Sequence, residues 1–232
     1  MELSILQVSL ALVPILIAIV IYGTMVSDWT SVIWATIRMV VQLIAIGYAL
    51  NIIFGLNHPL WVILVILLMS LGAGWIALRP IKQFNRPKLP VMVSVIVSGA
   101  INLIWILAVV LQPDPWFEPS VLIPITGMVM ANSMNAVSLC AERFWSERKQ
   151  GNSVHESSLA ALTAAMIPQI NALLAVGLVS LPGMMTGQIL SGVSPLIAVR
   201  YQIVIMSMVL STAAFGSFIY LRWYRNEPDQ KN

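Results

Sequence analysis

The chain has 232 residues, of which 59% are hydrophobic and only 9% are charged. A soluble domain of this length carries about 25% charged residues, so the composition excludes a soluble globular domain. The formal net charge of +3 comes from loop residues and does not indicate a nucleic-acid partner. The single cysteine, Cys140, excludes an intramolecular disulfide and a zinc cluster built from cysteines.

Apolar segments about 20 residues long recur along the sequence, and each is long enough to cross a hydrocarbon core of about 30 Å. The first segment lacks a basic n-region, so it is predicted to be a retained span and not a cleaved signal peptide. We therefore predict one all-α polytopic membrane domain over residues 1–232, integral to the plasma membrane, which in bacteria is the inner membrane. Its seven predicted spans occupy roughly residues 3–25, 31–54, 60–78, 91–111, 120–140, 157–181 and 196–221.

The distribution of lysine and arginine predicts the orientation of these spans, because cytoplasmic loops carry an excess of both residues. An outside N-terminus leaves only Arg38 and Arg200 within spans, and we interpret Arg200 as an interfacial anchor, with a substrate contact as the alternative. The C-terminus is then expected in the cytoplasm. The basic residues placed in inner loops or the tail are Arg79, Lys82, Arg86, Lys88, Arg143, Arg148, Lys149, Arg222, Arg225 and Lys231.

The sequence indicates an energy source outside this chain. Its acidic residues all fall in loops, tails or span ends, whereas a proton- or sodium-coupled carrier usually needs a carboxylate near the midplane. The G-x-x-x-x-G-K-[ST] motif of ATP-binding loops is also missing. No cofactor is expected in this chain, and no Ser/His/Asp or Cys/His set in one plausible site supports an enzymatic activity.

Polar side chains inside the predicted spans are the candidate substrate contacts. Arg38 and Gln42 lie one turn apart on the second span. The pair either lines a path or docks against a neighbouring helix; alternatively, the arginine reaches toward the inner headgroups. On the fifth span, amide and thioether groups suit the passage of a soft or borderline cation, although the same groups fit ordinary helix packing. Proline 168 on the sixth span predicts a hinge or polar pocket. The predicted pathway residues are Arg38, Gln42, Met128, Met130, Asn132, Met134, Asn135, Gln169 and Asn171.

The stretch "LPGMMTGQIL" at 181–190 interrupts the apolar pattern. Pro182 predicts the end of the sixth span near Leu181, and two glycines four residues apart would share one helix face and admit a neighbouring backbone. We interpret 182–195 as a short re-entrant or outer-gate segment packed against a dimer mate or the fifth span; a compact structural turn is the alternative. The predicted gate residues are Gly183, Met184, Met185, Thr186, Gly187 and Gln188.

Four stretches carry a family resemblance: "RMVVQLIAIGYALNIIF" (38–54), "LIPITGMVMANSMNAVSLC" (122–140), "VGLVSLPGMMTGQILSGVSPLIAVRYQI" (176–203) and "MSMVLSTAAF" (206–215). Together they resemble the FetB-like permeases, the membrane subunits of iron-export ABC transporters, to which the plant aluminium-sensitivity permeases are similar. The resemblance implies a permease that forms a dimer, pairs with a separate ATPase subunit that binds ATP, and exports iron or a related metal ion or complex. It names no metal ligands in this chain.

The segment after the fifth span departs from the family pattern. Members of the family have a longer inner segment with an "ALGAT"-like stretch, comparable to the loop by which ABC permeases dock on their ATPase. Here the inner loop is expected to span only residues 141–156, and its charged and aromatic residues fit either docking or an interfacial belt. The candidate docking residues are Arg143, Phe144, Trp145, Arg148 and Lys149.

Two other functions remain open from the sequence. A passive channel or secondary carrier would need no ATPase at all. A non-transporting membrane scaffold or regulatory subunit would explain the shortened inner loop.

Overall fold

Residues 4–56 and 58–226 are described by the computed structural model, and within them the regular elements are helices, apart from an isolated bridge between Val176 and Ser180. In this part of the chain seven helices are long and apolar enough to cross a membrane, which confirms the predicted all-α fold. Residue 3, the expected start of the first span, and Lys231 lie outside the described residues. The candidate spans are Leu6–Val26, Trp29–Ile53, Pro59–Ala77, Leu89–Leu111, Pro119–Lys149, Val154–Ala175 and Pro195–Trp223.

The chain divides into two compact units at Leu56. The helices of the first unit are α1 (Ile5–Ala11), α2 (Val13–Val26) and α3 (Trp29–Leu56). A capping box starts α1: the Gln7 backbone N–H donates to the Ser4 hydroxyl at 3.3 Å, and the Ser4 N–H donates to the Gln7 side chain at 2.8 Å.

A tight hairpin joins α2 to α3. Ser27 adopts a left-handed conformation with φ of 59°, and the Asp28 carboxylate accepts from the Ser31 backbone N–H at 3.1 Å. Gly23 is buried here against the Trp29 side chain. A Cβ at this position would lie only 2.1 Å from an atom of the Trp29 ring. The hairpin therefore depends on glycine at a point of close helix approach.

The second unit contains the remaining helices. They are α4 (Pro59–Ala77), α5 (Leu89–Trp105), α6 (Pro119–Lys149), α7 (Val154–Ala175), α8 (Gly183–Leu190) and α9 (Pro195–Trp223). Proline stands at the start of α4, α6 and α9, where its missing N–H breaks no intrahelical bond. A π-helical stretch, Ile106–Leu111, prolongs α5.

Helix α6 is the centre of the second unit and packs against α4, α5, α7 and α9. Its residues Val137, Cys140, Ala141 and Phe144 are completely buried. Since lipid is as apolar as these side chains, close packing around α6 must hold the bundle together.

The expected loop at 141–156 is wrong, because α6 continues without a break to Lys149. Only residues 150–153 separate α6 from α7. The segment after Cys140 consists largely of good helix formers, and an Arg143–Glu147 ion pair bridges one turn. Its charge suggested a loop, but charge at the end of a span is compatible with a helix that continues past the lipid.

The sixth span also ends earlier than expected, at Ala175 and not near Leu181. Gly177 has φ of 82°, and its N–H donates to the Ser180 carbonyl at 2.9 Å, so a tight turn follows the helix. This left-handed conformation favours glycine. The glycine, and not Pro182, is the signal for the helix end.

Candidate functional site

A connected set of polar side chains lies in the apolar interior of the second unit, between α5, α6 and α9. The Ser98 and Ser133 hydroxyls are 2.7 Å apart, and the Asn102 side-chain amide donates to the Ser98 carbonyl at 3.0 Å. The Ser211 hydroxyl donates to the Asn102 side-chain oxygen. We call Ser98, Asn102, Ser133 and Ser211 the polar seam; it joins three spans by side-chain hydrogen bonds.

Gly216 on α9 allows the helices to close around the polar seam. A Cβ at this glycine would lie 2.7 Å from a Val137 methyl group and 3.0 Å from the Ser98 hydroxyl oxygen. Ser98 and Ser133 are themselves completely buried. The seam is therefore a close-packed contact and not an open channel.

The sequence analysis missed the seam residues on α5 and α9. The signal for them is the spacing of Ser94, Ser98 and Asn102, which recur every four residues in an otherwise apolar span. This spacing places all three side chains on one helix face.

The predicted pathway residues of α6 do not converge on one point. Met130 is buried against Gly99, whereas Asn132 is half-buried and Asn135 is exposed. The Asn132 side-chain amide donates to the Met128 carbonyl of its own helix at 2.7 Å. Met128, Asn132 and Asn135 follow the i, i+4, i+7 spacing of one face, and we call this stripe the open face of α6.

The remaining pathway residues lie on other helices. On α7, Gln169 is buried with 8% exposure, and Asn171 is exposed. Arg38 and Gln42 are exposed on α3, one turn apart on the same face, within the first unit. Met134 packs beside an apolar cluster that includes Ala77 and other residues of α4 and α6.

The predicted gate is an eight-residue helix, α8, that packs on α9. Met184 contacts an apolar cluster that includes Ile205 and Met208 of α9, and the Thr186 hydroxyl donates to the Pro182 carbonyl at 3.2 Å. Among the described residues, no atom lies within 4 Å of a Cβ built at Gly183 or Gly187. Both glycines therefore have open space beside them in the described part of the chain, and Met185 and Gln188 are half-buried.

An aromatic cluster closes the end of the second unit where α6 and α9 finish. It consists of Phe144, Trp145, Tyr220 and Tyr224, whose neighbouring rings have centroids 5.0 to 6.5 Å apart. The Trp145 indole N–H donates to the Tyr220 hydroxyl at 2.9 Å. The Arg86 guanidinium lies over the Trp145 ring, 3.7 Å from its centroid. We call this part of the molecule the basic end.

The five predicted docking residues are divided between the core and the surface. Phe144 and Trp145 belong to the core, and Arg148 is 3% exposed while its guanidinium donates to the Asn152 carbonyl at 2.7 Å. Only Arg143, which pairs with Glu147, and Lys149 present exposed side chains. In the part of the chain that the structure describes, no group of three or more His, Cys, Asp or Glu residues is placed to hold a metal ion.

Comparison with known proteins gives a consistent result. The model of UPF0014, an uncharacterised protein family, matches residues 5–227. A UPF0014 membrane protein of Synechocystis is 38% identical, covering 85% of this chain and 84% of the relative. The probable iron export permease protein FetB of Escherichia coli is 32% identical over 229 residues, covering 92% of this chain and 87% of the relative. The protein ALUMINUM SENSITIVE 3 of Arabidopsis thaliana is 32% identical, and the match covers 92% of this chain and 84% of the relative. No solved structure matches the chain.

The comparison with the Escherichia coli protein also shows a difference in length within the matched region. The alignment is 229 positions long, whereas 92% of the 232 residues of this chain is only about 213 residues. The relative therefore contains segments within the matched region that this chain lacks.

The packing at Gly216 gives a testable prediction. We expect Gly216→Ala to destabilise the helix bundle by about 1 to 2 kcal/mol, since overpacking outweighs the better helix propensity of alanine. Gly72→Ala is the matched control, because no described atom lies within 4 Å of a Cβ there. Reversible unfolding in mixed detergent measures the free energy of unfolding of both variants. Equal stability of the two variants would contradict the close approach of α9 to the polar seam.

Proposed function

The chain belongs to the UPF0014 family, as its resemblance to FetB-like permeases predicted, and we propose that it is the membrane-spanning permease subunit of an ABC transporter. In this proposal it exports iron, or a related metal ion or complex, across the bacterial inner membrane. The observation that carries the proposal is the 32% identity to a probable iron export permease over 92% of this multi-pass membrane chain.

The placement of acidic residues supports an energy source outside the chain. The described carboxylates lie at helix starts, in connections or in the last turns of α6, as Asp28, Glu118 and Glu147 illustrate. A midplane carboxylate, which secondary carriers use to couple transport to an ion gradient, is therefore missing from the described spans. A separate ATPase subunit would supply the energy.

We place the ATPase at the basic end, which the positive-inside rule assigns to the cytoplasm. Arg143 and Lys149 would contact the ATPase directly, together with the connection at 150–153. Phe144 and Trp145 would support this surface from beneath, since both are packed in the core. A buried aromatic support keeps the end of α6 rigid, so that movement of the ATPase is transmitted to the helix and not absorbed by a flexible loop.

We place the substrate pathway of the second unit along the open face of α6, with Gln169 and Asn171 of α7 as further contacts; Arg38 and Gln42 stay a separate candidate polar pair on α3 of the first unit. The exposure of Asn135 supports this placement. Its side-chain amide does not take part in the packed interior, whereas the Asn102 amide of the polar seam does. A second copy of the chain would complete the pathway. Amide oxygens and thioether sulfurs then offer weak, exchangeable ligands to a passing cation.

The first prediction from this proposal concerns the ATPase subunit. We expect an ATPase subunit encoded in the same organism to co-purify with the chain, and its ATP hydrolysis to rise when ferrous or ferric iron is supplied to the complex in liposomes. A Lys149→Glu variant should retain less ATPase, while Lys88→Glu, at the start of α5, serves as the charge control. Iron uptake by liposomes that contain the chain without an ATPase would instead indicate a passive carrier.

The second prediction concerns the pathway. The variant Asn132→Ala/Asn135→Ala/Gln169→Ala should lose most of the export activity, measured as retained cellular iron in cells that lack the native chain. Ser207→Ala is the control, because its exposed hydroxyl bonds only the Ile203 carbonyl among the described contacts. Unchanged iron export in the triple variant, at equal membrane abundance, would refute this pathway and favour the scaffold function that the short connection at 150–153 suggests.

The third prediction concerns α8. Gly183→Leu/Gly187→Leu should abolish transport and leave membrane insertion intact, because both side chains would enter space that the described chain leaves open. Gly72→Leu, also at an open position, controls for added bulk. Loss of transport then reports on a contact made outside this chain, such as one with a dimer mate. Full activity of the double variant would refute a gate at α8.

A further inference from the structure

The connection between α6 and α7, residues 150–153, is hydrogen-bonded along its whole length. Two of its backbone N–H groups donate to the Glu147 carbonyl, at 3.0 and 3.3 Å, and a third donates to the Arg148 carbonyl at 3.2 Å. The fourth, just before α7, donates to the Glu156 carboxylate at 3.0 Å. Because every backbone donor of the connection has a partner, a change of its conformation would break several hydrogen bonds at once. The connection therefore presents a well-defined surface.

Glu147 ties this connection to the last turns of α6. Its side chain is buried, and one carboxylate oxygen pairs with the Arg143 guanidinium, one turn earlier, at 2.5 Å. The other oxygen accepts a hydrogen bond from the Asn152 side chain. A buried carboxylate that loses its partner is left with an uncompensated charge, so these bonds are strongly favoured. One side chain thus sets the position of an arginine on α6 and of an asparagine in the connection.

Arg143 is held by this ion pair but is not covered by the chain. Its side chain is 48% exposed, and the Glu147 carboxylate contacts only the Nη2 end of the guanidinium. Among the described residues, the pair with Glu147 is the only ion pair or hydrogen bond of the Arg143 side chain. A guanidinium carries five N–H donors in a planar fork, and one carboxylate occupies at most two of them. The remaining donors of Arg143 are available to a second acidic group.

The exposed charge at the end of α6 is mainly positive. Lys149, the last residue of α6, is exposed like Arg143. Among the carboxylates of this region, Glu147 is buried in its two bonds, and Glu156 accepts a backbone N–H of the connection. Glu142 is half-buried, and because it is one residue from Arg143 the two side chains do not face the same way. The surface is therefore complementary to an acidic groove on a partner.

We propose that Glu147 is a positioning residue for docking of the ATPase. It holds Arg143 so that the remaining guanidinium donors bind a carboxylate in an acidic groove of the ATPase, with the connection at 150–153 fixed beside it. This role rests on the proposed function. An arginine already held in its bound orientation loses little side-chain entropy on docking, so Glu147 raises the affinity although its own negative charge opposes an acidic partner.

The test measures docking of the ATPase subunit that co-purifies with the wild-type chain. The full chain is placed in lipid nanodiscs, and the dissociation constant of the purified ATPase subunit is measured together with its rate of ATP hydrolysis. We expect Arg143→Lys, which keeps the charge but has no planar fork, to weaken docking about tenfold. Arg79→Lys, at an exposed position in the connection between α4 and α5, is the matched control and should dock as the wild type does.

The variant Glu147→Gln separates positioning from net charge. The glutamine can still accept from Asn152 but forms no ion pair with Arg143, so we expect docking to weaken about tenfold. If net charge alone decided, loss of a negative charge would strengthen docking to an acidic groove. Glu147→Asp keeps the charge and shortens the reach to Arg143. It should also weaken docking, whereas net charge predicts no change, and it keeps the test valid where Glu147→Gln fails to fold.

The double variant Arg143→Lys/Glu147→Gln excludes a merely structural role. It should dock no more weakly than Arg143→Lys alone, because Glu147 acts through the fork that this variant has already lost. Additive losses would assign Glu147 to packing and overturn the proposal. Unchanged docking of Arg143→Lys, or unchanged or tighter docking of Glu147→Gln, would overturn it as well.

Failure of this role is distinguishable from failure of the proposed function. If no ATPase subunit docks on the wild-type chain, the proposed function and the role of Glu147 fail together. If the wild type docks the ATPase and stimulates its hydrolysis, while the Arg143 and Glu147 variants behave as the wild type does, only the role of Glu147 is overturned.

Discussion

The second unit depends on how closely its helices can approach α6. Inside a bilayer there is no hydrophobic gain from joining two apolar helices, so contact area and interhelical hydrogen bonds must hold the bundle. Small residues provide the contact: Gly99 receives Met130, and Gly216 admits Val137. The polar seam adds hydrogen bonds that link α5, α6 and α9 at one level. This fixed centre leaves polar residues elsewhere on α6, such as Asn135, available for contacts outside the packed interior.

Much of the fold could be predicted from the sequence because lipid imposes simple rules on length and composition. Seven spans were expected and seven are present among the described residues, with most boundaries within a few residues. The errors have one cause. The charged segment after Cys140 was assigned to a loop, although its residues favour a helix, and Gly177 was passed over in favour of Pro182 as the end of a span. Hydropathy indicates where contact with lipid ends, whereas the end of a helix is set by its backbone conformation, as at Gly177.

The candidate sites were harder to predict, since their geometry depends on which helix faces meet. Asn132 and Ser133 are adjacent in the sequence, yet one bonds within its own helix and the other joins α5 across the bundle. Phe144 and Trp145 were grouped with Arg143 by composition, but they pack inward while the arginine is exposed. Residue type identified the groups capable of chemistry. The rotation of each helix about its axis, which one sequence does not reveal, decides whether a group serves packing or remains accessible.

The basic end brings these arguments together at one place. The resemblance implies a longer inner segment in this family, whereas here four residues connect α6 directly to α7. Any force applied at this connection therefore acts on the ends of two spans. The aromatic cluster resists bending at that point, because Trp145 is bonded to Tyr220 of α9 and stacked beneath Arg86 from the connection before α5. Contacts of Trp145 thus join three segments of the second unit at the basic end, so a force on the α6–α7 connection would reach α9 and the connection before α5 as well.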